Sequence, residues 1–148
     1  MRIVVQRVKE AKCVVDGNIT GEIKQGFLLF IGFKEDDTDI DVQKCLKKVS
    51  GLRIFEDENG KMNKSLKDIS GSILAISQFT LYADLKHGNR PSFTTAMKYD
   101  LANDMYLKFV ELLRNEGYEV STGIFGADMK ISLTNDGPVT IIIDSIDL

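Results

Sequence analysis

No polar side chain interrupts the run Phe27-Leu28-Leu29-Phe30-Ile31-Gly32-Phe33. It has the length of a strand, and successive strand residues face opposite ways, so a run that is apolar at every position must be covered on both faces. That requirement puts it in the middle of a sheet with material packed on each side. The run is much too short to span a bilayer as a helix. At 148 residues, 43% of them hydrophobic and 28% charged, the chain is long enough for one continuous core around such a strand. One domain over residues 1–148 is therefore expected.

The flanking segments read as short elements joined by tight turns. Residues 2–8 and 12–15 alternate apolar and polar, Asp16-Gly17-Asn18 has turn composition, and residues 19–23 make a return strand. Thr38 or Asp39 caps a helix in which Val42, Cys45, Leu46 and Val49 recur at helical spacing until Gly51. Leu52-Arg53-Ile54-Phe55 reads as a short strand, and residues 72–82 as a long one. A second helix carries the stripe Leu101, Met105, Phe109, Leu112 and Leu113, with Asp100 as its cap and Gly117 as its end. Residues 118–122, 130–134 and 139–143 complete the strands, with Asn135-Asp136-Gly137-Pro138 as a turn between the last two. The pattern predicts an α+β domain with two main helices on a mostly antiparallel sheet, whose strand order cannot be read.

Several functions are excluded or disfavoured by simple counts. The net charge of −3 argues against sequence-indifferent nucleic-acid binding through a basic surface. Locally the picture differs: from Leu85 to Tyr99 there is no Asp or Glu, while Lys86, His87, Arg90 and Lys98 fall within the window. Such a window can hold phosphate; the similar group Lys44, Lys47 and Lys48, on a helix, reads better as a solvated face. Cys13 and Cys45 lie far apart without His, Asp or Glu at ligand spacing, which predicts buried thiols and no metal site or disulfide framework. The opening residues alternate like a strand and lack a signal-peptide core, so a cytoplasmic protein with no membrane span is expected.

Nucleophilic catalysis needs a base beside a Ser, Thr or Cys, and the only histidine, His87, sits in a Gly-containing loop. Within Ser77-Gln78-Phe79-Thr80-Leu81, read as a strand, Ser77 and Thr80 face opposite ways while Gln78 and Thr80 share a face. Their side chains and the nearby backbone N–H groups suit hydrogen bonding to a carbonyl or developing oxyanion better than attack upon it. Taken alone, this segment is an ordinary hydroxyl-bearing strand and Asn135–Thr140 an ordinary turn, although a Gly-Pro bond is one of the few that adopts cis at modest cost.

Together the two stretches change the reading. Ser77-Gln78-Phe79-Thr80-Leu81 and Asn135-Asp136-Gly137-Pro138-Val139-Thr140 resemble the signature motifs of the D-aminoacyl-tRNA deacylases, also called D-tyrosyl-tRNA deacylases. The likeness continues through Val5-Gln6-Arg7-Val8, Leu52 to Asp57, Gly60-Lys61-Met62-Asn63, Gly88 to Phe93, and Thr122-Gly123 with Phe125-Gly126-Ala127-Asp128-Met129. It departs at Met97-Lys98-Tyr99, where a proline-like entry into the second helix is expected.

The resemblance implies the family's barrel-like fold and a homodimeric carboxylic ester hydrolase, without metal or organic cofactor, that takes the aminoacylated 3′ end of tRNA. It would release D-amino acids, and glycine, while sparing L-aminoacyl esters: chiral proofreading in translation quality control. It implies a catalytic segment Ser77, Gln78, Phe79 and Thr80, and a cis Gly137-Pro138 peptide whose carbonyls enter the partner's pocket and read handedness. Arg7 would orient that peptide, and Phe125, Gly126, Ala127 and Met129 would line an adenosine pocket, where an aromatic contact to a base is worth on the order of 1–3 kcal/mol. From another functional class, the alternative is a noncatalytic dimeric module that holds RNA 3′ ends through Lys86 to Arg90.

Overall fold

The computed structural model describes all 148 residues. Eight strands and two α-helices follow in the order β1 (Arg2–Val15), β2 (Asn18–Ile23), β3 (Gly26–Gly32), α1 (Asp39–Gly51), β4 (Phe55–Glu56), β5 (Met62–Lys64), β6 (Ser72–Ser77), α2 (Tyr99–Asn115), β7 (Val120–Thr122) and β8 (Lys130–Asp144). The main sheet runs β2-β1-β3-β6-β7, with β8 paired to β1, and β4 and β5 form a separate small hairpin. Pairing is antiparallel among β1, β2, β3 and β8, and parallel from β3 to β6 and from β6 to β7. The sheet is therefore mostly antiparallel and barrel-like, with a parallel flank.

The apolar run behaves as its composition requires: Phe27, Leu28, Leu29 and Ile31 are at most 1% exposed. Phe27, Leu29 and Ile31 face the larger core, against Val42, Cys45 and Val49 of α1 and Phe109 and Leu113 of α2. Leu28 faces a second cluster with Leu74, Ile76, Ala11, Cys13 and Val15. One long strand serves both ends, because the first half of β1 pairs with β3 and its second half with β2. Both cysteines are buried, and burial pushes the Cys45 thiol up to about 12, out of the nucleophilic range at neutral pH.

Four local expectations are corrected. Residues 2–8 and 12–15 are parts of one strand, β1. The strand expected over 72–82 ends at Ser77, and Phe79–Tyr82 forms a 3-10 turn. Of the strand expected over 52–55 only Phe55 is extended in a ladder. The second helix begins at Tyr99 after Lys98, so Asp100 lies inside its first turn; the preceding Met97 N–H is already bonded to the Phe33 carbonyl at 3.0 Å, which fixes where the chain can turn helical. At α1, Thr38 is the cap and forms a capping box with Asp41.

The largest correction concerns Asn135-Asp136-Gly137-Pro138. It joins no two strands but lies inside β8, which pairs with β1 on either side of it. Gln6 pairs with Thr140 and Val8 with Asn135, so the single residue Arg7 stands opposite four residues, Asp136 to Val139. The surplus leaves the ladder as a wide bulge.

Candidate active site

A cavity of about 540 Å³ opens where the end of β3, the 3-10 turn and the segment after β7 converge. Its size suits a nucleoside or another small organic group. Ser77, Gln78 and Phe79 form one side, Phe125, Gly126, Ala127 and Met129 another, and Phe93, Met97 and Tyr99 a third. The sequence-predicted catalytic and adenosine residues thus meet around one space. Thr80 is the exception: it is exposed at the edge and reaches the cavity only through Gln78.

Gly32 explains why the segment Ser77–Thr80 turns where it does. The Gln78 N–H donates to the Ile31 carbonyl at 2.7 Å, and a Cβ on Gly32 would come within 2.8 Å of the Gln78 carbonyl oxygen. The missing side chain lets the backbone leave β6 and close down on β3. In the turn so formed, the Gln78 Nε2 donates to Thr80 Oγ1 at 2.5 Å. Thr80 therefore spends a lone pair on Gln78 and keeps its own O–H proton for another acceptor.

The wall opposite is built around Gly126, whose φ of +75° favours glycine. The Tyr99 ring lies so close that a Cβ there would be 2.6 Å from it, and the Tyr99 hydroxyl donates to the Phe125 carbonyl at 3.3 Å. Tyr99 and Phe125 meet edge to face at 5.0 Å, as do Phe79 and Phe93 on the other side. Aromatic pairs thus flank the cavity. Phe93, Met97 and Tyr99 were not singled out from the sequence as site residues; the acid-free window that contains them was the available signal.

Arg7, Gly137 and Pro138 line no part of this cavity. The Gly137-Pro138 peptide is cis, and both residues are exposed on the bulge of β8. Arg7 anchors the bulge from below. Its guanidinium donates to the Asp136 carbonyl at 2.9 Å and to the Ile54 carbonyl at 2.6 Å, and approaches the Asp136 carboxylate at 3.6 Å. Arg7 is only 5% exposed, with the Phe55 ring 6.0 Å from its guanidinium carbon. No group of three His, Cys, Asp or Glu side chains is placed to hold a metal ion.

Two motifs are thus presented on separate surfaces, a turn beside a nucleoside-sized cavity and an arginine-held Gly-Pro bulge. Residues 4–144 match the sequence profile described as D-Tyr-tRNA(Tyr) deacylase. The chain belongs to that family. It is 56% identical to the D-aminoacyl-tRNA deacylase of Clostridium novyi (strain NT) over 145 residues, covering 98% of this chain and 97% of the relative. It is also 56% identical to the enzyme of that name from Thermotoga petrophila over 148 residues, covering 100% of this chain and 99% of the relative. Among solved structures, one described as "c-Myc DNA Unwinding Element Binding Protein" matches with a TM-score of 0.91 at 39% identity, over 97% of this chain and 98% of the other. A probable eukaryotic D-amino acid tRNA deacylase shares the fold, with a TM-score of 0.82 at 20% identity and coverage of 97% and 98%. No helix is long and apolar enough to cross a membrane.

Proposed function

We propose that the protein hydrolyses the ester joining a D-amino acid, or glycine, to the 3′-terminal adenosine of tRNA, and that it does so as a homodimer in the cytoplasm. The observation that carries the reading is the convergence of Ser77-Gln78-Phe79 with Phe125-Gly126-Ala127 on one cavity in a chain of this family. The adenosine occupies the aromatic end, which places its acylated ribose near Gln78. Water adds to the ester carbonyl carbon, the bond to the ribose oxygen breaks, and that oxygen leaves with a proton; the adjacent ribose hydroxyl can assist the proton transfer. The Gln78–Thr80 pair, together with the Phe79 and Thr80 N–H groups at the open start of the turn, stabilises the charge on the carbonyl oxygen. No covalent enzyme intermediate is required.

Chirality is read by exclusion. The Gly137 and Pro138 carbonyls of one subunit enter the other subunit's cavity, accept from the substrate's α-ammonium group and leave no room for an L side chain. Because backbone atoms make the selection, it is independent of which amino acid is attached. Support comes from the exposure of both residues away from their own chain's cavity, and from the free outer edge of β8 with Ile142 68% exposed and Ile146 74% exposed beyond it. Such an unpaired, partly apolar edge calls for a cover.

Incubation with D-aminoacyl-tRNA and its L counterpart tests the reading: release of the D amino acid alone is expected, whereas protection of both esters points to the noncatalytic module. The same D-specific release is expected to survive thorough chelation, and loss of activity restored by a divalent ion would contradict a metal-free mechanism.

A further inference from the structure

Resting on that reading, the acid-free window marks where the rest of the substrate goes. An adenosine seated in the cavity is the last nucleotide of a single-stranded tail, so the preceding phosphates must cross the cavity's edge. The wall formed by Phe93, Ala96, Met97 and Tyr99 belongs entirely to the stretch Leu85–Tyr99, which contains no carboxylate. Lys86, Arg90 and Lys98 are exposed on that stretch, and none of them takes part in an ion pair or a side-chain hydrogen bond. Lys9, Lys34, Lys64, Lys67, Lys108 and Lys130 each have an acidic partner, whereas Lys12, Lys24, Lys44, Lys47, Lys48 and Lys61 also lack one; what sets the window apart is that its chain builds the cavity wall.

The loop is also held in place. Asp84 and Ser92 exchange backbone hydrogen bonds of 2.8 and 2.9 Å across its base, and the Asp84 carboxylate turns inward to accept from the Lys86 N–H at 2.8 Å. That carboxylate is engaged within the loop, whose tip is Gly88, with φ +91°, and the acid that lines the cavity itself, Asp128, is paired with Lys130 at 2.9 Å. Arg90 is three residues from Phe93, so its Cα is at most about 11 Å from that of a cavity-wall residue. Lys98 lies between the wall residues Met97 and Tyr99.

We propose that Lys86, Arg90 and Lys98 form a phosphate-binding rim that holds the single-stranded 3′ tail of tRNA, leading its terminal nucleoside into the cavity. The rim recognises backbone charge and reads no base, so it acts on affinity and on the salt dependence of turnover without entering the chemistry. An overall acidic protein needs such a feature, because its average surface repels a polyanion.

The test compares two substrates, a D-aminoacyl-tRNA and a D-aminoacyl-adenosine that lacks the tail. For K86Q/R90Q/K98Q, kcat/KM on the tRNA is expected to fall about 30- to 100-fold at 0.1 M salt, and the slope of log(kcat/KM) against log[salt] to become shallower by about 2, the value for three contacts to a single strand. On the adenosine ester the same variant is expected to match the unaltered protein. The control K47Q/K48Q, which removes two cations from the exposed face of α1, is expected to leave tRNA turnover within about threefold. Equal turnover of tRNA by variant and unaltered protein would overturn the rim, as would an equal loss on both substrates or an equal loss in the control. Failure of the unaltered protein to hydrolyse either ester would instead overturn the functional reading on which the rim depends.

Discussion

Arg7→Ala is expected to lower the stability of the protein by about 3 kcal/mol, because it strips a buried cation from two carbonyls and a carboxylate at once. The Ile54 and Asp136 carbonyls would lose donors at 2.6 and 2.9 Å. Lys9, 3.5 Å from the Asp136 carboxylate, would still balance that charge, which keeps the loss below the upper end for a broken buried pair. For a chain of this size the melting temperature should fall by roughly 10 °C. Activity should fall too at temperatures where the variant remains folded, since the bulge loses its anchor. Arg7→Lys should recover part of the stability but less of the activity, because an ammonium cannot reproduce two guanidinium bonds in different directions. An unchanged melting temperature for Arg7→Ala would mean that the bulge is held by something else.

The second large effect is expected at the turn after Ser77. Gln78→Ala should slow turnover by about 10²–10³-fold, the range for loss of one donor to a developing oxyanion. Thr80→Ala should fall within or below that range, with KM little changed. Because Gln78 donates to Thr80, the two side chains form one unit, and the double variant should be only a few times slower than Gln78→Ala alone. Strict multiplication of the two single effects would argue that they act independently. Trapping an acyl group on Thr80 would replace the water mechanism with a covalent one.

Those two sites were legible in the sequence to different degrees. The run Phe27–Phe33 carried its own burial on both faces, and the α1 stripe appears where its spacing put it; of the stripe expected on α2 only Phe109 and Leu113 are buried, because the helix turns Ala102, Tyr106 and Val110 to the core and leaves Leu101 58% exposed. The 3-10 turn after Ser77 was hidden because Phe79, Thr80, Leu81 and Tyr82 all suit a strand; Gly32, a non-local partner, decides their path. In the same way Asn-Asp-Gly-Pro has the composition of a turn and of a bulge alike. What selects the bulge is β1, which stays paired beyond both its ends and places Arg7 under it. The parallel pairing of β3 with β6 and of β6 with β7 leaves no local mark, since it depends on where the helical connections pack. Resemblance between whole motifs supplied the site that local patterning could not, and the cavity wall at Phe93, Met97 and Tyr99 came only from three-dimensional proximity.

Completion of each cavity by the other subunit is the claim on which the chiral filter stands, and subunit mixing tests it. One parent would carry Gln78→Ala and Thr80→Ala, which disable the cavity and spare the bulge. The other would carry Gly137→Val, which spares the cavity; at φ +128° the new side chain is strained, and its Cβ would sit 2.9 Å from the Val139 side chain and 3.1 Å from the Arg7 guanidinium. After the parents are unfolded together and refolded at equal concentration, half the dimers are mixed, and each mixed dimer has one intact cavity facing one intact bulge. The account predicts recovery of D-specific hydrolysis to about a quarter of the wild-type level, from two parents that are each nearly inactive. If the mixture is no more active than the average of its parents, the bulge serves its own chain or neither, and the cross-subunit filter is wrong.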